Sequence, residues 1–348
     1  MKAQSISTYG AASALKVLVS NTKAQLAKAQ QEATTGSVFD IGLSLGSKSG
    51  QTISLRKEYD RLTVLTDMNK LVQQRMTTTQ SATTTIIEKT QDFLGDLTGA
   101  NSTIESAETA AKTAKSLLDS VTGLLNTSYN GEYIFSGVNT DVKPVADYTE
   151  GSQAQNAVRQ AFQDHFGFAM NDPAVADITG DEMKTFLEGD FAEQFSDSNW
   201  DANWSNASDT AIKSRISPTE TASTSISANA DGFRKTIMSA VMISEFATMG
   251  LNNSAFQALT NQAMQTTTQA ITETTSEQTT LGLAQQRTNA ATTRIGAQQK
   301  ILNQSVLDLE SVDPYDAATR VNALMSQIET SYALTVQLQN MSLLNYLK

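Results

Sequence analysis

Apolar residues recur at helical spacing along most of the chain, and four prolines mark where that spacing fails. Pro144, Pro173 and Pro218 lie in the middle third, and Pro314 lies near the end. A proline inside a helix removes a backbone donor and clashes with the preceding turn. Long helices are therefore expected over residues 1–140 and 220–313, but not between them. Ala107, Ala111, Ala114, Leu118, Val121 and Leu125 alternate by four and three, which makes a seam for a second helix. Phe256, Leu259, Ala263, Thr266 and Ala270 keep the same rhythm. It slips near Thr274 and resumes at Leu281, Ala284, Thr288, Ala291, Ile295, Gln298 and Leu302, the pattern of a stutter. Leu55, Tyr59, Leu62, Leu65, Val72 and Met76 mark a further helix.

The two ends carry stripes of their own. Leu15, Leu18, Thr22, Leu26, Ala29 and Ala33 form one, followed by Gly36. Near the other end Asp313 suits a helix cap, Pro314 the first helical position, and Asp316 the first turn. Beyond them Val321, Met325, Ile328, Tyr332 and Val336 follow one stripe, while Leu334, Leu338 and Met341 lie on a second face, widened by Leu344 and Leu347. A surface helix of a monomer needs one apolar stripe, so a helix apolar on two faces needs two neighbours. The ends are expected to pair and still to present apolar surface to another chain. The candidate interface is Leu15, Leu18 and Leu26 on the first helix. On the last it is Val321, Leu324, Met325, Ile328, Tyr332, Leu334, Leu338, Met341, Leu344 and Leu347.

The middle differs. Glu132 to Gly137 reads as a short strand by its aromatic and β-branched content, and Asn130-Gly131 before it reads as a helix cap and turn. A helix is expected over Gln155 to Phe168, a returning strand over Thr224 to Ser227, and a helix again over Ala230 to Phe246. Both tryptophans, the single histidine and seven of the twelve phenylalanines fall between 141 and 235. The expected fold is mainly α. Both termini form a coiled-coil helical rod, with a small β-hairpin and an inserted α+β (or β-rich) outer domain. The boundaries read as 1–45 with 305–348 for a terminal helical domain, 46–140 with 233–304 for the rod and hairpin, and 141–232 for the insert.

Composition narrows the chemistry. Aromatics are 6% of residues, too few for a thick core, and the seams are rich in Ala and Thr, which suits thin helix pairs. The net charge of -11, with no cluster of Lys or Arg, argues against nucleic acid, whose phosphates need clustered cations. No cysteine is present, which removes disulfides and thiolate chemistry. No apolar run approaches the roughly 20 residues that span a bilayer, so no membrane contact is expected. The first residues lack the continuous apolar core of a cleavable signal peptide. His165 has no second histidine with which to share a metal, and the phenylalanines around it suit packing. Asp181, Glu182, Glu188 and Asp190 lack the alternating spacing of a calcium loop and read as a solvated acidic surface. Trp200 and Trp204 read as core of the insert. Neither G-x-G-x-x-G nor a phosphate loop occurs. Enzymatic activity, cofactors and metals are accordingly not expected.

The ends also carry a resemblance. Asn130-Gly131-Glu132-Tyr133-Ile134-Phe135-Ser136-Gly137 with Thr140, the run Asp313-Pro314-Tyr315-Asp316-Ala317-Ala318-Thr319-Arg320, Ser331-Tyr332-Ala333-Leu334-Thr335 and the closing Leu343-Leu344-Asn345-Tyr346-Leu347 resemble the flagellin superfamily over roughly residues 1–140 and 225–348. The strand element and the ending are most similar to the superfamily's hook-filament junction branch, the group called hook-associated protein 3. The resemblance implies a secreted structural subunit of the bacterial flagellum at the junction between hook and filament, exported by the type III route. Its terminal helices would be the inner, polymerising domain. Its implied partners are copies of itself in a ring at the hook tip, another hook-associated protein, flagellin, and an export chaperone on the C-terminal helix. Flagellin itself, or a secreted coiled-coil adhesin or translocator, are the alternatives.

Overall fold

The computed structural model describes the backbone of residues 2–100 and 104–346, and the side chains of residues 10–99 and 104–340. The chain divides into two compact units, Met1–Val64 with Gly296–Lys348, and Leu65–Ile295.

The first unit holds α1 (Lys2–Thr35), the short α2 (Ile41–Leu45), the start of α3 (Ser49–Ala100), the end of α10 (Asn253–Glu310) and α11 (Pro314–Tyr346). Helix α1 stops at Gly36, whose φ of 69° favours glycine. Helix α11 starts as its sequence dictates: the Asp313 carboxylate accepts the Tyr315 N–H at 2.8 Å. These two ends meet in an antiparallel bridge between Ser37 and Ser311, flanked by Val38 N–H to Glu310 O at 2.9 Å and Val312 N–H to Gly36 O at 3.0 Å. Two carboxylates hold the same corner. Glu32 accepts from the Phe39 N–H at 3.1 Å and from Arg320 at 3.2 Å. Glu310, almost wholly buried, takes Arg56 in a two-point contact whose Nε arm is 3.0 Å, and this pairing raises the guanidinium above its ordinary pKa. Tyr59, read as a seam residue, is exposed here.

The second unit holds the rest of α3 and α10 with α4 (Ala107–Leu125) and α9 (Asp231–Phe246), which pack on each other. Helices α3 and α10 run antiparallel. Amides cross between them, Gln73 to the Gln285 carbonyl at 3.0 Å and Gln80 to the Gln278 carbonyl at 2.9 Å. Their buried face carries Met76, Ile86, Phe93 and Leu97 against Phe256, Leu259 and Ala263. Threonines fill the narrower places, among them Thr83, Thr90, Thr267 and Thr288, and each returns its hydroxyl to the carbonyl four residues earlier. That bond satisfies a buried hydroxyl without a partner from the facing helix. The heptad rhythm of α10 holds to Ile295, whereas Gln298 is exposed and Leu302 half-buried. The slip near Thr274 has a steric cause. A Cβ on Gly232 of α9 would lie 2.5 Å from the Thr274 backbone N, so α9 enters against the α10 backbone at that point.

The strand expectation needs correction. Helix α4 ends at Asn126, and Asn130-Gly131 is the turn of a hairpin, β1 (Ser128–Tyr129) with β2 (Glu132–Tyr133). Both turn residues have positive φ, 53° and 84°, as the two-residue hairpin turn requires. The strand ends at Tyr133 because Ile134 and Phe135 turn into the core. The returning strand is β4 (Glu220–Ser223), paired with β3 (Lys213–Ser217), not Thr224–Ser227. Ser227 forms an isolated bridge to Ser136 instead. The other regular elements of the insert are helices, α5 (Gln153–Phe166), α6 (Gly180–Glu188), α7 (Asp190–Glu193) and α8 (Asp197–Asn203), joined by irregular segments. Phe162, Phe186, Phe191, Phe195, Trp200 and Trp204 form a continuous aromatic core with Phe246 of α9.

Candidate assembly interface

The α1–α11 pair follows a heptad on both helices. Half-buried or buried apolar and hydroxyl positions on α1 are Ala12, Leu15, Val19, Thr22, Leu26 and Ala29; on α11 they are Ala317, Val321, Leu324, Ile328, Ser331, Thr335 and Leu338. Every step is three or four, so the seam is continuous. Positions just outside it form two flanks. Residues that follow a seam residue line one flank: Lys16 and Lys23 on α1, Met325, Tyr332 and Gln339 on α11. Residues that precede one line the other, Leu18 and Gln25 on α1 and Arg320, Gln327 and Leu334 on α11, and half-buried Glu32 joins them one heptad after Gln25. Two contacts fix this assignment. The Lys23 ammonium lies over the Tyr332 ring at 5.4 Å, and Arg320 meets Glu32 at 3.2 Å.

The expected interface residues therefore divide. Leu15, Leu26, Val321, Leu324, Ile328 and Leu338 face the partner helix within the chain. Leu18, Met325, Tyr332 and Leu334 stay exposed on the flanks, at 43%, 45%, 45% and 46%. Val17 and Val336, further out, are more exposed still. The side chains of Met341 and Leu344, and the whole of Leu347, lie outside the described residues. The sequence reading missed Ser331 and Thr335 because seam positions held by hydroxyl residues carry no apolar signal. Both return their hydroxyls at 2.7 Å to the carbonyl four residues earlier, which removes the cost of placing them there.

Catalytic candidates are engaged otherwise. His165 packs against Phe166 and Phe186 and contacts Asp190 at 2.6 Å. Glu182 closes a capping box with Thr179, which holds its carboxyl below the usual range. Glu188 faces Lys184 at 3.9 Å. Trp200 and Trp204 are buried, as their sequence context suggests. A cleft of about 1010 Å³ in the second unit contains Tyr148, Gln155, Arg159 and Glu245. Its buried carboxylate is already held, by Arg159 at 3.0 Å and Gln155 at 2.7 Å. One motif escaped the sequence reading: Gly42-Leu43-Ser44-Leu45-Gly46 spells G-x-S-x-G. It lies in α2 and the turn after it, not on the strand-to-helix elbow that activates such a serine. Among the described residues no group of three His, Cys, Asp or Glu side chains stands ready for a metal, and no helix is long and apolar enough to cross a membrane.

What the fold defines is a mainly α subunit whose two ends zip together and leave apolar flanks. Residues 6–140 match the bacterial flagellin N-terminal helical region, and residues 264–347 match the bacterial flagellin C-terminal helical region. The chain belongs to the bacterial flagellin family and is a structural subunit of the flagellum. The family is structural rather than enzymatic, and its members assemble with other flagellar proteins. No curated protein matches the chain. Its fold is similar to a solved structure described as a flagellar hook-associated protein from Vibrio parahaemolyticus. That similarity has a TM-score of 0.53 at 8% identity, over 77% of this chain and 99% of the other.

Proposed function

We propose that this subunit forms the junction between hook and filament. The observation that carries the reading is the α1–α11 pair, which closes its own seam and still exposes Leu18, Met325, Tyr332, Leu334 and Val336. Apolar side chains left in that arrangement are covered when subunits stand side by side. The hook-filament position is supported by the Tyr133-Ile134-Phe135-Ser136-Gly137 element, by the Leu-Leu-Asn-Tyr-Leu ending, and by the fold's likeness to a hook-associated protein. In this reading the chain leaves the cell by type III export with a chaperone on α11. It forms a ring of copies on the hook tip, between another hook-associated protein and flagellin. Residues 1–45 and 305–348 form the inner layer, 46–140 and 233–304 the rod around it, and 141–232 the outer domain.

Deletion of the gene tests this. Cells should keep hooks, lose filaments and shed flagellin into the medium, and the wild-type gene should restore filaments. Intact filaments in the deletion strain would refute it. A second reading, flagellin itself, is favoured by the match to both flagellin helical regions. In that case the purified chain would grow long filaments when seeded.

A further inference from the structure

Helix α5 carries three planar polar side chains on one face, Gln155, Arg159 and Gln163, each one turn from the next. Successive members stand about 6 Å apart along the axis. All three line the cleft of about 1010 Å³ in the second unit, opposite α4 and α9. The floor of that cleft is fixed. The Gln155 amide accepts the Gly151 N–H at 2.9 Å and donates to Glu245 at 2.7 Å, and Arg159 Nε donates to the other Glu245 oxygen at 3.0 Å. Tyr148 is clamped by its stack on Trp204, 5.3 Å between ring centres and 5° between planes. Its hydroxyl is enclosed near Glu245 and closes no hydrogen bond among the described residues. Burial and the Glu245 charge hold this phenol well above its ordinary pKa, so it keeps its proton as a donor. The rim is uncommitted. Lys115, Asp119, Gln163 and Asn171 line the cleft, and among the described residues their side chains have no hydrogen-bond or ion-pair partner.

We infer that this cleft binds a neutral oligosaccharide. Charge removes the simplest alternatives. The carboxylates of Asp119, Glu150 and Glu245 outnumber the cations of Lys115 and Arg159, which opposes a phosphate, a nucleotide or an acidic sugar. A cationic ligand finds both oxygens of the buried Glu245 carboxylate already engaged. A hydrocarbon would strip water from a charged floor at a cost that nothing repays. An extended peptide seeks the edge of a sheet, whereas helices and turns form the walls here. A sugar hydroxyl donates one hydrogen bond and accepts two, so it is served by amides, a guanidinium and carboxylates set side by side. The step of the α5 ladder is close to the length of one sugar ring, so successive rings meet successive rungs. Met170, half-buried on the wall, offers the C–H face of a ring an apolar contact. The volume lies at the upper end of the range for ligand clefts, about 300–1,000 Å³, and leaves room for more than one ring.

Titration calorimetry on the purified full-length chain tests this. The probes are neutral hexasaccharides of glucose, mannose, galactose or N-acetylglucosamine, each alone, and a sulfated hexasaccharide. At least one neutral probe should bind with a dissociation constant below about 1 mM. The double variant Gln163→Ala with Asn171→Ala, changed at two exposed rim positions, should keep the wild-type melting temperature and bind that probe at least 10-fold more weakly. Absence of binding by every neutral probe would overturn the inference. Undiminished affinity in the folded double variant would place the sugar elsewhere and overturn it too. Tighter binding of the sulfated probe than of any neutral one would overturn the ligand class. The measurement uses the isolated chain, so its outcome is independent of where in the flagellum the subunit sits.

Discussion

Leu334→Asp separates the inner seam of the α1–α11 pair from its outer flanks, and the structure sets the size of the effect. Leu334 keeps 46% of its surface in the free chain. Burying a whole leucine side chain is worth about 1.5–3 kcal/mol, so covering what remains exposed contributes about 1 kcal/mol to each contact. An aspartate forfeits that gain and brings a carboxylate that must lose hydration, at a further cost of about 2 kcal/mol or more. The sum of about 3 kcal/mol weakens association roughly 100-fold. In the free chain the same change removes half a leucine's burial, about 1 kcal/mol, and leaves both helices in place. Ile328→Asp is the control. Ile328 is 8% exposed in the seam, where truncation alone costs about 2–5 kcal/mol and an unpaired carboxylate adds to it. That variant should part α1 from α11 before any neighbour is met. Far-UV circular dichroism of the purified chains reads the first effect, and immunoblots of sheared flagella read the second. The expectation is wild-type helicity with lost incorporation for L334D, and loss of both for I328D. Undiminished incorporation of L334D would refute the reasoning, as would a loss of helicity equal to that of I328D.

Three further expectations concern the second unit. Asn229 accepts from Trp200 Nε1–H at 2.8 Å and from the Ser205 hydroxyl at 2.6 Å. Asn229→Leu orphans the Trp200 indole N–H at about 1–3 kcal/mol, while the Ser205 hydroxyl can turn to the Pro144 carbonyl at 3.0 Å, and should lower the melting temperature by about 2–12 °C in calorimetry. Tryptophan emission should also shift to the red, since Trp200 and Trp204 are the only tryptophans. Gly137→Ala places a Cβ 2.2 Å from the Ser208 carbonyl at a φ of 61°, and should cost about 2–4 kcal/mol in chemical denaturation. The Glu182 carboxyl is lowered by bonds from the Thr179 backbone and hydroxyl. Its support for α6 is complete above the ordinary carboxylate pKa of about 4.3 and fades as pH falls through the lower folded value. An NMR titration should therefore find the Glu182 midpoint moved upward in Thr179→Ala, and an unmoved midpoint would contradict the capping role.

Helices were the most legible part of the sequence, because heptads and punctuation agree there. Every residue read into the α10 seam from Phe256 to Ala270, and again from Leu281 to Ile295, is buried. At Asn130-Gly131 the turn signal held and the helix-cap reading did not, since α4 is capped at Asn126. Such a pair suits either a helix end or a hairpin, and only the arrival of Ile134 and Phe135 in the core decides between them. The expected interface blended two roles. Leucine at 324 and leucine at 334 look alike in a hydropathy pattern, yet one sits in the seam and the other on a flank. The distinction needed the register of the partner helix, visible in Ser331 and Thr335, which have no apolar signal. The fit of Gly232 against Thr274 was written in the sequence only as a slip of rhythm, since a close backbone approach leaves no other trace.

We propose that this subunit sits between hook and filament and is held there by its paired ends. Immunogold electron microscopy of isolated flagella, with antibody against the insert, tests it most directly. Gold should lie in a single narrow band where hook meets filament. Gold along the whole filament, or none on the flagellum, would contradict it.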